Sequence, residues 1–119
     1  MVRGQQDRFA WIASVPLTNA QAAAEELERA AANGACGVII SSNIENVNIG
    51  EIPLDPFWAK AEALDLPVLI HPVLVGAAPR AAKFSLAQIA QYTFDTTLGV
   101  GSLLMSGVMD RFPKLKLLW

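Results

Sequence analysis

Histidine occurs once in this chain of 119 residues, at His71, and cysteine once, at Cys36. A single cysteine excludes an internal disulfide or a thiolate cluster, which fits a reducing, cytoplasmic setting. A single histidine excludes a self-sufficient catalytic metal site, which takes about three protein ligands. Charge is also scarce: Asp, Glu, Lys and Arg make up 17% of the residues, with a net charge of -2. No cluster of Lys or Arg is present that would follow a phosphate backbone, so nucleic acid is not an expected partner. The stretch Met1 to Arg8 is polar and charged, unlike a signal peptide. No strand candidate leads into a Gly-rich phosphate turn, and Gly99-Val100-Gly101 lacks the third glycine of a dinucleotide fingerprint. Asp95 is the only charge between Phe84 and Met109, but the Ser, Thr and Gln residues there argue against a membrane span.

What the chain has in quantity is apolar surface. Hydrophobic residues are 53% of it, more than a lone small domain usually buries, so further structure is expected around it. Short apolar runs alternate with longer helical stretches, the signature of βαβ units. A strand is expected from Phe9 to Val15, stopped by Pro16, followed by a helix from a Thr18-to-Gln21 capping box to about Asn33. Gly34 supplies the left-handed C-cap. A second strand covers Cys36 to Ser41. After a long loop from Ser42 to Leu54, Asp55 caps a helix that has Pro56 in its first turn and ends near Asp65. Val68 to Ile70 form a third strand. Ser85 to Gln88 repeat the capping-box spacing, and Asp95-Thr96-Thr97 open a helix to about Arg111, ended by Pro113. Lys114 to Trp119 begin a fourth strand that breaks off while still apolar, so the chain reads as a truncated one.

His71 is the most informative residue. The run Leu66-Pro67-Val68-Leu69-Ile70-His71-Pro72 is apolar on both faces, as an interior parallel strand is, and it delivers the imidazole to the strand's carboxyl end. Ligands of α/β folds gather at such ends. An imidazole there can bind a metal or move a proton near neutral pH.

An ordered set of segments then carries a family resemblance. Val15-Pro16-Leu17, Ala24 to Arg29, Leu54-Asp55-Pro56-Phe57-Trp58, Val68 to Pro72, Phe94-Asp95-Thr96-Thr97 and Ser106 to Lys116 together resemble the aminocarboxymuconate-semialdehyde decarboxylase-like branch of the amidohydrolase superfamily. The resemblance runs from Arg8 over nearly the whole chain. It implies an α/β fold, a partial (β/α)8 TIM barrel supplying strands three to five and the start of six. Residues 1–119 are then a single incomplete domain of a barrel that typically needs about 250 residues.

The resemblance also implies the chemistry. The family binds a divalent metal, often zinc, through a His-x-His pair, a histidine after strand five and an aspartate after strand eight. His71 falls on the strand-five ligand. The other ligands, and an acid/base histidine of a His-Gly-Gly motif after strand six, fall outside this chain, so the fragment alone is expected to be inactive. The expected parent activity is metal-dependent decarboxylation of a small unsaturated or aromatic carboxylate, in a protein expected to be a homo-oligomer. The alternatives are a metal-dependent hydrolase of the same family and a non-catalytic module that pairs its open sheet edges with a partner. The chain departs from the best-known decarboxylases at Val73-Leu74-Val75, where they have Trp-Asp-Met, so the substrate is left open. Arg80 and Lys83, on the loop after His71, are the expected carboxylate-binding cations, and Asn43 is the expected polar contact from the loop after the second strand. Asp95 reads as a helix cap, Cys36 as a structural residue, and Phe57 and Trp58 as core.

Overall fold

The structure, a computed structural model, describes residues 8–74 and 78–119. The N-terminal residues 1–7, and residues 75–77 of the loop expected to bind a carboxylate, lie outside the described residues. In chain order the elements are β1 (Ala13–Ser14), α1 (Ala20–Ala32), β2 (Val38–Ser41), β3 (Asn43–Ile44), β4 (Val47–Asn48), α2 (Asp55–Ala63), β5 (Val68–His71), α3 (Tyr92–Met105), α4 (Val108–Arg111) and β6 (Leu117–Leu118). Short 3-10 turns at Ile49–Glu51 and Pro79–Ala81, and a π-helical turn at Ala87–Gln91, complete them.

Four strands form one parallel sheet in the order β1-β2-β5-β6, so each strand lies beside the one before it in this sheet. A doubly wound sheet reverses its order part-way and places helices on both faces. The unreversed order keeps the crossovers on one face, as in an arc of a (β/α)8 barrel. The register aligns Ala13, Val38, Val68 and Leu117 in one row, and Ser14, Ile39, Leu69 and Leu118 in the next. Because side chains alternate across a strand, the first row and the Ile40–Ile70 pair face the helices, while the second row and the Ser41–His71 pair face away. Burial follows this division: Val38, Ile40, Val68 and Ile70 are buried, whereas Ile39, Ser41 and Leu69 are half-buried and His71 is exposed.

The core lies between the sheet and its helices. Ala23, Leu27 and Ala30 of α1 meet Phe57, Trp58 and Ala61 of α2, with Leu103 of α3 and Val108 of α4 completing the cluster. Phe57 and Trp58 are fully buried and meet edge to face at 4.9 Å between ring centroids, as expected of core aromatics. The two small residues Gly50 and Gly99 allow the 42–54 loop and α3 to approach backbone to backbone. A Cβ built on Gly50 would stand 2.3 Å from the Ser102 carbonyl, and one on Gly99 would stand 3.3 Å from the Ser42 side chain.

Several local expectations are corrected. The N-cap of α1 is Asn19, whose Oδ1 accepts from the Ala22 N–H at 3.0 Å, and Gln21 bonds Glu25 instead of reaching back toward Thr18. Asp55 is the first residue of α2 and does not cap it; its carboxylate pairs with Arg111 at 3.0 Å. Ser85 caps nothing, since it and Phe84 both hold positive φ, 56° and 59°, outside the extended region an N-cap needs. The long loop after β2 contains the β3–β4 hairpin, turned by Glu45 and Asn46 at φ 50° and 65° as a two-residue type I′ connection requires. The helix expected from Asp95 to Arg111 begins earlier, at the π-helical turn, and is broken at Gly107, whose φ of 73° ends α3 before α4 starts. Gly34 does hold the left-handed conformation, φ 89°, that ends α1.

Candidate metal-ligand site

β5 pairs on both sides, with β2 and with β6, so His71 sits at the end of an interior strand. Its parity in the strand turns it to the helix-free face beside Ser41. There it lines an open groove of about 470 Å³ with Ser14, Ile39, Ser41, Ile44 and Val73. The His71 Nδ1 lies 2.8 Å from the carbonyl oxygen of Pro72. A carbonyl has no hydrogen to give, so Nδ1 carries the proton and donates. In the neutral ring this leaves the lone pair on Nε2, the nitrogen free to act as a ligand.

The backbone around His71 is held from several directions. The Ser42 N–H donates to the His71 carbonyl at 3.0 Å, carrying the β2–β5 ladder one step past the strand ends. Just beyond Pro72, the Val73 N–H donates to Asp95 Oδ2 at 2.9 Å and to Ser42 Oγ at 3.2 Å. The Val73 carbonyl accepts from Asn43 Nδ2 at 2.9 Å. Asp95 gathers these groups: its carboxylate also accepts from the Ser42 hydroxyl and, at 2.9 Å, from Asn43 Nδ2. Ser42 and Asn43 are buried, and their polar groups are satisfied within this network.

The expected site residues are therefore distributed unevenly. His71 lies on the groove. Asn43 lies close by, but its amide hydrogens go to Val73 and Asp95 and its Oδ1 accepts from the Asn46 N–H at 3.3 Å, so it meets the groove through the Val73 loop. Arg80 and Lys83 are exposed on the loop after β5 and are not among the groove-lining residues. Asp95 is a correction: it lies inside a continuous helical stretch, and its carboxylate serves the ends of β2 and β5 instead of its own helix terminus. Cys36 is exposed rather than packed, with its Sγ 3.2 Å from the Trp11 carbonyl. Sequence reasoning missed Ser42, Ser14 and Ser41. A serine pair closing an apolar strand, followed by asparagine, was the available signal for the first.

Among the described residues no group of three His, Cys, Asp or Glu side chains is placed to hold a metal. Of the described residues that line the groove, His71 alone is one of these four types, so a metal there would take one ligand from them. Nor is any helix of the described residues long and apolar enough to cross a membrane.

A family model described as amidohydrolase matches residues 2–118. The chain belongs to the amidohydrolase family. This amidohydrolase chain is 29% identical over 110 residues to the 2-amino-3-carboxymuconate-6-semialdehyde decarboxylase of Dictyostelium discoideum, covering 92% of the chain and 31% of that relative. It matches the crystal structure of 5-carboxyvanillate decarboxylase from Sphingomonas paucimobilis with a TM-score of 0.85 and 28% identity, over 98% of the chain and 36% of that structure. The dihydroxybenzoic acid decarboxylase of a Polaromonas species, solved with bound manganese and the inhibitor 2-nitroresorcinol, matches with a TM-score of 0.76 and 25% identity, over 98% of the chain and 38% of that structure. These similarities place the amidohydrolase chain in the aminocarboxymuconate-semialdehyde decarboxylase-like branch. It spans about a third of the length of the curated relatives it matches.

Proposed function

We propose that this chain is the part of a metal-dependent decarboxylase that carries one metal ligand, His71, and that the substrate is a small aromatic or unsaturated carboxylate. The observation that carries the reading is the state of His71. It stands at a parallel strand's carboxyl end, on the helix-free face, with Nδ1 engaged by the Pro72 carbonyl and Nε2 left available. The similar decarboxylases support the reaction class, and the manganese in one of them supports a divalent ion, for which zinc is our assignment in this protein.

A divalent metal, when bound, polarises substrate oxygens and lowers the pKa of bound water. This chain's own residues do three things. His71 Nε2 contributes one ligand, Ile39 and Ile44 give the groove apolar surface against which a planar ring packs, and Ser14 and Ser41 offer hydroxyls along its edge. Arg80 and Lys83, the next cations along the chain after His71, are assigned to the substrate carboxylate, and Asn43 is assigned to holding the Val73 loop against which the substrate rests. One ligand does not make a site, so 1–119 belong to one barrel domain whose remaining ligands come from other strands, and the chain alone is assigned no activity. We place the protein in the cytoplasm, in keeping with its single cysteine. We also assign homo-oligomerisation to the full-length protein.

The test uses the protein made from its complete reading frame. His71→Ala should lower Mn2+ or Zn2+ affinity by at least about 10-fold and abolish carbon dioxide release from dihydroxybenzoate-type and carboxymuconate-type substrates. Undiminished metal binding in a folded His71→Ala protein refutes the assignment.

A further inference from the structure

The Pro72–Val73 peptide unit is engaged at both ends. Its C=O accepts the proton of His71 Nδ1 at 2.8 Å, and its N–H donates to Asp95 Oδ2 at 2.9 Å. A peptide is planar, so fixing the direction of its N–H fixes the direction of its C=O. The proline ring adds a second restraint by locking φ at residue 72. We infer that Asp95 is a positioning residue for His71, orienting the imidazole through this one peptide plane; the inference rests on the metal-ligand role proposed for His71.

Two features make Asp95 the organising group. First, its carboxylate collects neutral donors from three places: the Ser42 hydroxyl and the Asn43 amide at the end of β2, and the Val73 N–H beyond β5. All are donors, so an acceptor-only group is required at their meeting point, and a carboxylate supplies it. Secondly, the direction of charge suits a ligand. An anion hydrogen-bonded to an amide N–H polarises that amide, which strengthens its carbonyl as an acceptor. A stronger acceptor at Nδ1–H raises electron density at Nε2, the usual effect of the outer partner of a metal-bound histidine. Here that partner is a backbone carbonyl backed by a carboxylate. Ser42 assists by donating its own N–H to the His71 carbonyl at 3.0 Å and accepting the Val73 N–H on its hydroxyl at 3.2 Å, so His71 and the segment after it are both tied to the end of β2.

Asp95→Asn is the informative variant. The side chain keeps its size, but its NH2 group must face one of the three donors, which breaks the convergence without emptying the position. In the protein made from its complete reading frame, Asp95→Asn should weaken Mn2+ binding by about 10- to 100-fold, read from the free-ion EPR signal. It should lower kcat by a similar factor with KM changed less than about threefold, while helical content stays as in the unsubstituted protein. Amide exchange at Val73 should quicken in the metal-free protein. Ser42→Ala, which removes one bridging hydroxyl, should move metal affinity the same way by about threefold, and it stands in if Asp95→Asn does not fold. Metal affinity and kcat unchanged in either folded variant would overturn the inference. If His71→Ala loses the metal and Asp95→Asn does not, only the positioning role fails; if neither loses it, the ligand assignment fails with it.

Discussion

Replacing Gly50 by alanine should destabilise the protein by about 2–4 kcal/mol, whereas the same replacement at Gly101 should stabilise it by about 0.5–1 kcal/mol. At Gly50 the new methyl would stand 2.3 Å from the carbonyl carbon and oxygen of Ser102 and 2.6 Å from the Leu103 nitrogen. These are backbone atoms of α3, so no side chain can swing aside and the loop must move by about an ångström. Overpacking of this kind costs about 1–3 kcal/mol. The movement also stretches the bond from the Gly50 N–H to Ser102 Oγ, 3.1 Å in the native fold, worth about 1 kcal/mol more. At Gly101 nothing lies within 4 Å of an added Cβ, so alanine gains helix propensity at no steric cost. Urea unfolding of the two variants reads both signs, and for Gly50→Ala the midpoint should fall by about 1–2 M. The contact also reaches the site, since Ser102 is about two turns along α3 from Asp95. Gly50→Ala should therefore quicken exchange of the Val73 amide. Unfolding midpoints that moved the same way in the two variants, or a Gly50→Ala protein as stable as the unsubstituted one, would refute the reasoning.

The capping correction predicts that Asn19→Ala costs about 1 kcal/mol while Thr18→Ala stays within about 0.5 kcal/mol, measured by the same urea titration. The Glu26–Arg29 pair predicts a pH dependence: hydrogen bonds of 2.6 and 2.7 Å from Arg29 lower the Glu26 carboxyl below its ordinary value of 4.5, aided by the Arg29 charge and opposed by desolvation. A carboxyl lowered by folding stabilises the fold above its ordinary value and ceases to do so as pH falls through the lowered one. Thermal unfolding of Glu26→Gln should thus show a small deficit at pH 7 that vanishes in strong acid and, because the pair is exposed, shrinks in high salt.

The parts of the fold that depend on local pattern were legible in the sequence. The apolar runs around Val38–Ile40 and Val68–Ile70 fixed two strands, Gly34 marked the end of α1, and the Ile70-His71-Pro72 order placed the imidazole at a strand exit. Cap positions were displaced by one residue because Thr18 and Asn19 are both good caps, and only the backbone's path decides which one faces the free amides. Asp95 was misread for a different reason. Its partners are 22 to 53 residues away in sequence, so no periodicity or spacing rule registers them. Asp-Thr-Thr also imitates a helix start, while the true start at Ala87 is a π-helical turn without a side-chain cap. The β3–β4 hairpin escaped notice because Glu45-Asn46 lacks the glycine that usually announces a type I′ turn.

The alternation of β2 and β5 also bears on how such a chain diversifies. Val38, Ile40, Val68 and Ile70 pack toward the helices, while Ile39, Ser41 and Leu69, the intervening letters of the same two short words, face the other way, Ile39 and Ser41 onto the groove. Packing against the helices and the shape of the opposite face are thus written in separate, interleaved alphabets. Libraries randomised at Ile39 and Ser41 can reshape the groove while leaving the helix-facing side of the sheet as it is, and a single-residue slip in either strand would exchange the two sets at once.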